Sequence, residues 1–478
     1  INLPAPLGKN KNATRRLKLE TRLRAKTLPL MVSYGTDAKA KLRFIDKRNK
    51  GFSLDRADIH FGKGKAILPA KPGIRLSGNI KSLQLAAWKN AVSFEAASPS
   101  TNKGLNQLDL TVDKLHWLDS QFTSIKLSGE HKNSAWSGKI SSPIIQGRYH
   151  FPDTLSAKQR IKLDLERLRL AEPSSLASES EASPLSPAEV PNIDIRSQQL
   201  FIGDNNLGEL NLQLRQKNNG LIIQRLSLLS ARDELNAAGA WEITDGDSRT
   251  ALKGRLNTQS LGDLLDDMGL SDKLKATPTE VEFDLHWPGG PPDFSKDHLS
   301  GFAKLNSGQG RLLEVEPGIG RIFGLLSLST LQRRLQLDFS DLVQRGLSFD
   351  KIKGRVLIND GEAVTERFYL ESPAVRLDFQ GRVGLAAEDL DQLITVTPKT
   401  TESLPLAGAL AGGPLVGAAV FIVQKIAGKT VNKLVGYQYR VTGPWKDPNI
   451  KQLSKPGGKI FGMVDNVLSP VLNLGSAQ

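Results

Sequence analysis

The histidines are the first residues to test for chemistry, and their spacing offers none. His60, His116, His131, His150, His286 and His298 stand singly. No H-x-x-x-H or H-E-x-x-H pair sets two imidazoles on one helix face for a metal. The carboxylate pairs Asp233-Glu234 and Asp266-Asp267 lie beside turn or helix residues, where capping and solvation account for them. Acid–base work needs two carboxyls in unlike surroundings. Gly318, Gly320 and Gly324 imitate half of a dinucleotide fingerprint, but no clean parallel strand leads into them and no acidic partner follows. A nucleophile elbow and a phosphate-binding loop are both missing. Cysteine is absent, which excludes disulfides and thiol chemistry. The sequence predicts no catalytic residue, no metal ligand and no cofactor: a protein that is not an enzyme.

What the residues do carry is alternation. Leu108, Leu110 and Val112, then Ile161, Leu163 and Leu165, then Leu210, Leu212 and Leu214, and Val375, Leu377 and Phe379 are each separated by one residue that is mostly polar. A period of two gives a strand one apolar face and one polar face. A second element, apolar-x-Gly-x-apolar, recurs at Leu76–Ile80, Trp136–Ile140, Leu252–Leu256, Ile352–Val356, Phe379–Val383 and Val441–Trp445, and predicts bulges, bends or strand edges. Aromatic residues make up 6% of the chain against 43 glycines and 25 prolines, a balance suited to many short strands joined by turns. The alternating segments return in an irregular repeat. The expected fold is mainly β: a long, curved antiparallel sheet of stacked repeats, with a few short helices.

The organisation follows in order. Residues 1–170 are basic β repeats, and Lys9–Lys65 alone holds 17 Lys/Arg against five Asp/Glu of a chain with net charge +14. Such a segment suits anionic lipid or an acidic protein; without an aromatic array or recognition module it does not predict nucleic-acid binding. Residues 171–191, rich in Ser, Pro, Glu and Ala, read as a flexible loop. Residues 192–400 resume the strands, with helical insertions near 260–268 and 317–335. Residues 437–478 hold a final strand and a tail. The chain opens on Ile1 with no leader, which reads as a segment of a longer protein.

Residues 401–436 contain the uncharged run Ser403–Gln424, interrupted by Pro405, Gly412, Gly413 and Pro414. The breaks favour two short apolar pieces over a continuous span. In the second, Val416, Val420, Phe421 and Val423 stand beside a row of Lys425, Lys429 and Lys433. That arrangement suits a helix lying in a lipid interface, or equally one packed on a sheet.

The strand faces leave a similar choice. Leu210, Leu212, Leu214, Leu226, Leu228, Phe283, Leu285, Leu377 and Phe379 can line a conduit or form an ordinary sandwich core. Few predicted helices are available to cover them. A sheet of this length closes on a second sheet or stays open as a groove completed by acyl chains.

Glu316–Phe339, preceded by Phe283–Trp287 and followed by Gly413–Phe421 and Tyr437–Trp445, resembles the C-terminal region of the AsmA-like family of Gram-negative envelope proteins, itself similar in design to bridge-like lipid transfer proteins. The likeness is specific from about Val281 to Ile450. It implies a β groove, open along one side, that carries phospholipid between inner and outer membranes. It also implies a periplasmic location, an inner-membrane anchor in the full-length protein and a C-terminal end at the outer membrane. On that reading Leu108, Leu110, Val112, Leu210, Leu212, Leu214, Leu226, Leu228, Val281, Phe283, Leu285, Val375, Leu377 and Phe379 line the groove. Val416, Val420, Phe421, Val423, Lys425, Lys429 and Lys433 meet the membrane. An acidic residue at Leu377 is then expected to block passage in a protein that still folds. The competing expectation is a scaffold for outer-membrane protein assembly through long exposed strand edges. A carbohydrate-binding solenoid would want clustered aromatic platforms and paired carboxylates, which are not seen.

Overall fold

The computed structural model describes residues 16–22, 26–47, 51–84, 104–117, 120–154, 159–170, 186–217, 220–267, 274–275, 277–313, 347–373, 375–399, 437–445 and 447–454. The chain divides into two units, 1–218 and 219–478.

The first unit is a run of strands: β1 (Leu17–Thr21), β2 (Thr27–Tyr34), β3 (Ala38–Lys47), β4 (Gly51–Phe61), β5 (Gly73–Gln84), β6 (Leu105–Trp117), β7 (Ser120–Lys132), β8 (Ala135–Ser141), β9 (Ile145–Pro152), β10 (Ile161–Leu170), β11 (Ile193–Ile202) and β12 (Asn205–Lys217). Each pairs with its neighbour in chain order. Most pairs are antiparallel, but β4–β5, β5–β6 and β10–β11 are parallel. This refines the expected antiparallel sheet, and the reason is the length of the connections. A parallel step needs a crossover of a dozen or so residues, which a hairpin turn cannot supply. Segments 62–72, 85–104 and 171–192 supply it, so the Ser/Pro/Glu/Ala-rich stretch joins two parallel strands. Its described end holds a 3-10 turn, Pro187–Glu189; residues 171–185 lie outside the described residues.

Asp58 pins the first crossover. Its carboxylate has 0% exposure and accepts from Ile67 N at 2.7 Å, Arg75 Nε at 2.8 Å and Ser77 Oγ at 2.9 Å. A buried charge persists only when paired and hydrogen-bonded in this way.

The second unit holds β13 (Gly220–Leu229), β14 (Asp233–Thr244), β15 (Asp247–Thr258), α1 (Leu261–Asp267), β16 (Leu274–Lys275), β17 (Thr279–Pro288), β18 (Ser300–Ser307), β19 (Gly310–Leu312), β20 (Leu347–Phe349), β21 (Lys351–Asn359), β22 (Glu362–Glu371), β23 (Val375–Gly384), β24 (Asp389–Pro398), β25 (Tyr437–Pro444) and β26 (Asn449–Ser454). The order β13-β14-β15-β17-β18-β21-β22-β23-β24-β25-β26 is antiparallel throughout. A separate three-stranded sheet, β16-β19-β20, stands apart from it. β26 is a strand beyond the single C-terminal strand expected from the sequence. Among the described residues β1 and β26 each pair on one side, and the described strands of neither unit close into a barrel. The expected helix at 317–335 and the whole of 401–436 lie outside the described residues, as does the tail beyond Ser454.

Two of the recurrent glycines, Gly254 and Gly354, sit on the apolar face under aromatic rings, whereas Gly78, Gly138 and Gly381 meet the backbone of the neighbouring strand. A Cβ at Gly254 would lie 2.8 Å from Phe283 Cζ, and one at Gly354 would lie 2.1 Å from Phe368 Cδ2. Only hydrogen leaves room for the ring to cross the neighbouring strand. Beside Gly354 the β21–β22 register also shifts, as a bulge requires.

Candidate functional site

Register converts the alternation into rows. In the first unit one row crosses every strand: Leu19, Val32, Ala40, Ile59, Leu76, Leu108, Gly129, Gly138, Tyr149, Leu163, Ile195 and Leu212. In the second unit a row crosses every strand of the large sheet: Leu226, Ala237, Gly254, Phe283, Ala303, Val356, Thr365, Gly381, Gln392, Val441 and Ile450. Neither row contains a charge. Each unit thus has a continuous line across its strands along which hydrocarbon meets no ionised group.

The opposite face is a ladder of charges in which each carboxylate stands beside a cation, although Lys304 and Arg355 are like-charged neighbours. Arg255, Glu282, Lys304, Arg355 and Glu366 are successive cross-strand neighbours. Arg255 lies 2.6 Å and Lys304 3.3 Å from Glu282, while Arg440 lies 2.8 Å from Asp391. The hydrogen bond and charge of Lys304 hold the Glu282 carboxyl below its ordinary range, and the hydrogen bond from Arg440 does the same for Asp391. These pairs are largely exposed and contribute mainly to water solubility of that face and to cross-strand register.

The apolar face differs along its length. In the first unit Leu110, Val112 and Phe61 bury one another with Leu76 and Ile125, and Leu108 packs at the margin. Leu210 is buried at β12, whereas Leu212 and Leu214 are half-buried. In the second unit Leu226, Leu228, Val281, Phe283 and Leu285 are all half-buried. Further along the same face, Leu377 has 0% exposure and joins Leu370, Ile394, Val396, Tyr439 and Val441 in a cluster closed by Leu274 of β16 and Phe349 of β20. Leu261 and Leu265 of α1 and Phe379 pack against it. The side chain of Val375 and the residues Val416, Val420, Phe421, Val423, Lys425, Lys429 and Lys433 lie outside what the structure describes.

Three features escaped the reading of the sequence. Trp241 and Trp287 are buried at one rim of the face, with indole N–H groups donating to Ser248 Oγ at 2.9 Å and Gly290 O at 3.0 Å. Gln392 sits in the apolar row with 5% exposure, near Thr365 Oγ1, and its Nε2 has no partner. Its phase with Leu390, Ile394 and Val396 was readable; its polarity concealed it. The small sheet of β16, β19 and β20 had no periodicity to reveal it.

Chemistry of bonds finds no home among the described residues. His60 Nδ1 lies 3.0 Å from Ser77 Oγ, which donates to Asp58, but a nucleophilic triad needs the imidazole between carboxylate and hydroxyl. His131 pairs with Asp153, and His150 with Ser137. No group of three or more metal-ligating side chains occurs among the described residues, and none of their helices is long and apolar enough to cross a membrane.

Fold and face define the class: an open, one-sided amphipathic β-sheet protein. The chain belongs to the YhdP protein family, whose profile matches residues 1–450. It is 28% identical over 264 residues to a protein of Escherichia coli (strain K12) named "Intermembrane phospholipid transporter YhdP", the match covering 55% of this chain and 21% of that protein. The matched region is therefore about a fifth of that relative's length. No solved structure matches the chain.

Proposed function

We propose that this chain is a section of an intermembrane phospholipid carrier in a Gram-negative envelope. Acyl chains lie along the apolar face of each unit with headgroups in water, and no bond is made or broken. The observation that carries the reading is the pair of uncharged rows, each crossing every strand of its sheet. Sliding requires that continuity. Each buried CH₂ is worth about 0.8 kcal/mol, and one unpaired charge in the track would set a barrier of several kcal/mol. Membership of the YhdP family and the name of the E. coli relative support phospholipid as cargo. Leu108, Leu110, Val112, Leu210, Leu212, Leu214, Leu226, Leu228, Val281, Phe283, Leu285 and Phe379 belong to the track. The segment with Val416, Val420, Phe421, Val423 and the Lys425, Lys429, Lys433 row engages the outer membrane, and the longer protein is anchored at the inner one. The scaffold reading is weaker, because the one-sided edge strands β1 and β26 are only five and six residues long.

Native mass spectrometry of the chain, extracted without detergent, tests this. Phospholipid should co-purify with the wild type and be lost from Val281→Glu and Phe283→Glu. A folded, monodisperse wild type that holds no lipid on exposure to phospholipid vesicles would refute it.

A further inference from the structure

The small sheet is attached to the large one along a single line. β15 ends at Thr258, β17 begins at Thr279, β18 ends at Ser307 and β21 begins beside Ile352; these four residues are successive cross-strand neighbours. The chain leaves the large sheet at that line to form α1, β16, β19 and β20, and returns at the same line. Three of its four members, Thr258, Thr279 and Ser307, are polar and buried: Thr279 Oγ1 donates to Thr277 O at 2.9 Å and lies 2.8 Å from Ser307 Oγ. From it the appendage folds over the apolar face onto Leu370, Leu377, Ile394, Val396, Tyr439 and Val441. Among the described residues its strands are two or three residues long and its helix seven, so its described elements share few backbone hydrogen bonds. At the hinge end Arg232 of the β13–β14 turn pairs with Asp263 at 3.3 Å and with Asp267 of α1, and Asp350 N donates to Glu371 O at 2.7 Å; over the apolar face the contact is side-chain hydrocarbon, chiefly Leu274 and Phe349.

We infer that α1 with β16, β19 and β20 is a hinged cap whose Leu274 and Phe349 occupy the acyl-chain track over β22–β25 and are displaced from it by lipid. The surface beneath the cap is the same kind of uncharged face that stands half-buried at β17. The cap's underside presents to it the chemistry of an acyl chain, and the two compete for one surface. With the cap down, the track ends before β22; with the cap raised, it runs to β26. This rests on the carrier reading above and adds to it a gate.

Hydrogen–deuterium exchange on the wild-type chain, alone and with vesicles of phosphatidylethanolamine and phosphatidylglycerol, reads the docking. The amides of β19 and β20 should exchange about tenfold faster or more with vesicles, with no acceleration in β23 and β24. Leu312→Cys, in β19 at the margin of the covered cluster, places a sole thiol on the underside of the cap of a chain without cysteine and leaves Leu274 and Phe349 in place. Its modification by a maleimide should be slow alone and faster with vesicles. Val281→Cys, on the open region, should react readily alone and become protected when acyl chains cover it. Protection of Val281→Cys with unchanged exchange in β19 and β20 and unchanged Leu312→Cys reactivity would overturn the gate and leave the carrier reading intact. Failure of vesicles to protect Val281→Cys would refute the carrier reading for this chain, and the gate with it.

Discussion

Val281 and Leu377 stand on the same face of the same sheet, in strands of the same alternating pattern, yet Val281 is half-buried and Leu377 is sealed beneath Leu274 and Phe349. The difference lies in what has been laid over the sheet rather than in the sheet. An apolar strand face is a surface of fixed chemistry, and whether it is core or conduit depends on the layer above it. Within one unit both outcomes occur side by side.

The largest effect should come from testing the two residues with the same charge. Leu377→Glu buries an unpaired carboxylate and should cost about 5 kcal/mol or more, enough to unfold the second unit, whereas Val281→Glu should cost about 1 kcal/mol and leave the fold intact. Urea unfolding of both variants measures this. It corrects the expectation that an acid at Leu377 is a clean block in a folded protein: complete burial makes it a stability mutation, and the informative positions for lipid passage are Val281, Phe283 and Leu285. Equal costs at the two sites would erase the distinction between covered and open regions.

Truncation gives the next step down. Phe349→Ala leaves a cavity under the cap and should cost about 3–5 kcal/mol, with Leu285→Ala nearer 1–2 kcal/mol because solvent or lipid already reaches that position. The same contrast can be drawn on the charged side. Asp58, wholly covered, should cost about 3 kcal/mol on replacement by Ala, since Arg75 and Ile67 N lose their acceptor. Glu282→Gln, on the exposed ladder, should be inseparable from wild type in the same measurement.

Acid should produce a small change, and the same one under both regions. Glu282 beneath the open region and Asp389 and Asp391 beneath the covered one are held below the ordinary carboxylate range by hydrogen bonds from Lys304, Arg382 and Arg440. Carboxyls with lowered folded-state pKa values stabilise fully above their unfolded values and lose that contribution as pH falls through the folded ones. Melting temperature should therefore decline gently in acid below the ordinary carboxylate range, and high salt should shrink the decline.

Much of this was legible in the residues. Alternation in Leu210–Leu214, Val281–Leu285 and Val375–Phe379 assigns each side chain to a face before any fold is known, because successive Cβ atoms in a strand must point opposite ways. The same phase places Gln392 among apolar neighbours. The parallel joints at β4–β5, β5–β6 and β10–β11 were not legible: pairing direction depends on which strand the chain meets after a long crossover, and alternation is identical either way. Nor was the cap. Leu274 and Phe349 lie in strands of two and three residues, too short for a period to register, and their partners lie many residues away in sequence.

By itself the sequence determined a mainly β chain with one greasy and one charged side, punctuated by glycines that mark bends and bulges in its strands. Only the tertiary structure decided which stretch of the greasy side is left open and which is sealed. Local periodicity is written in neighbouring residues, whereas coverage is a contact between distant ones, and it is coverage that separates a place to bind hydrocarbon from a place already filled with it.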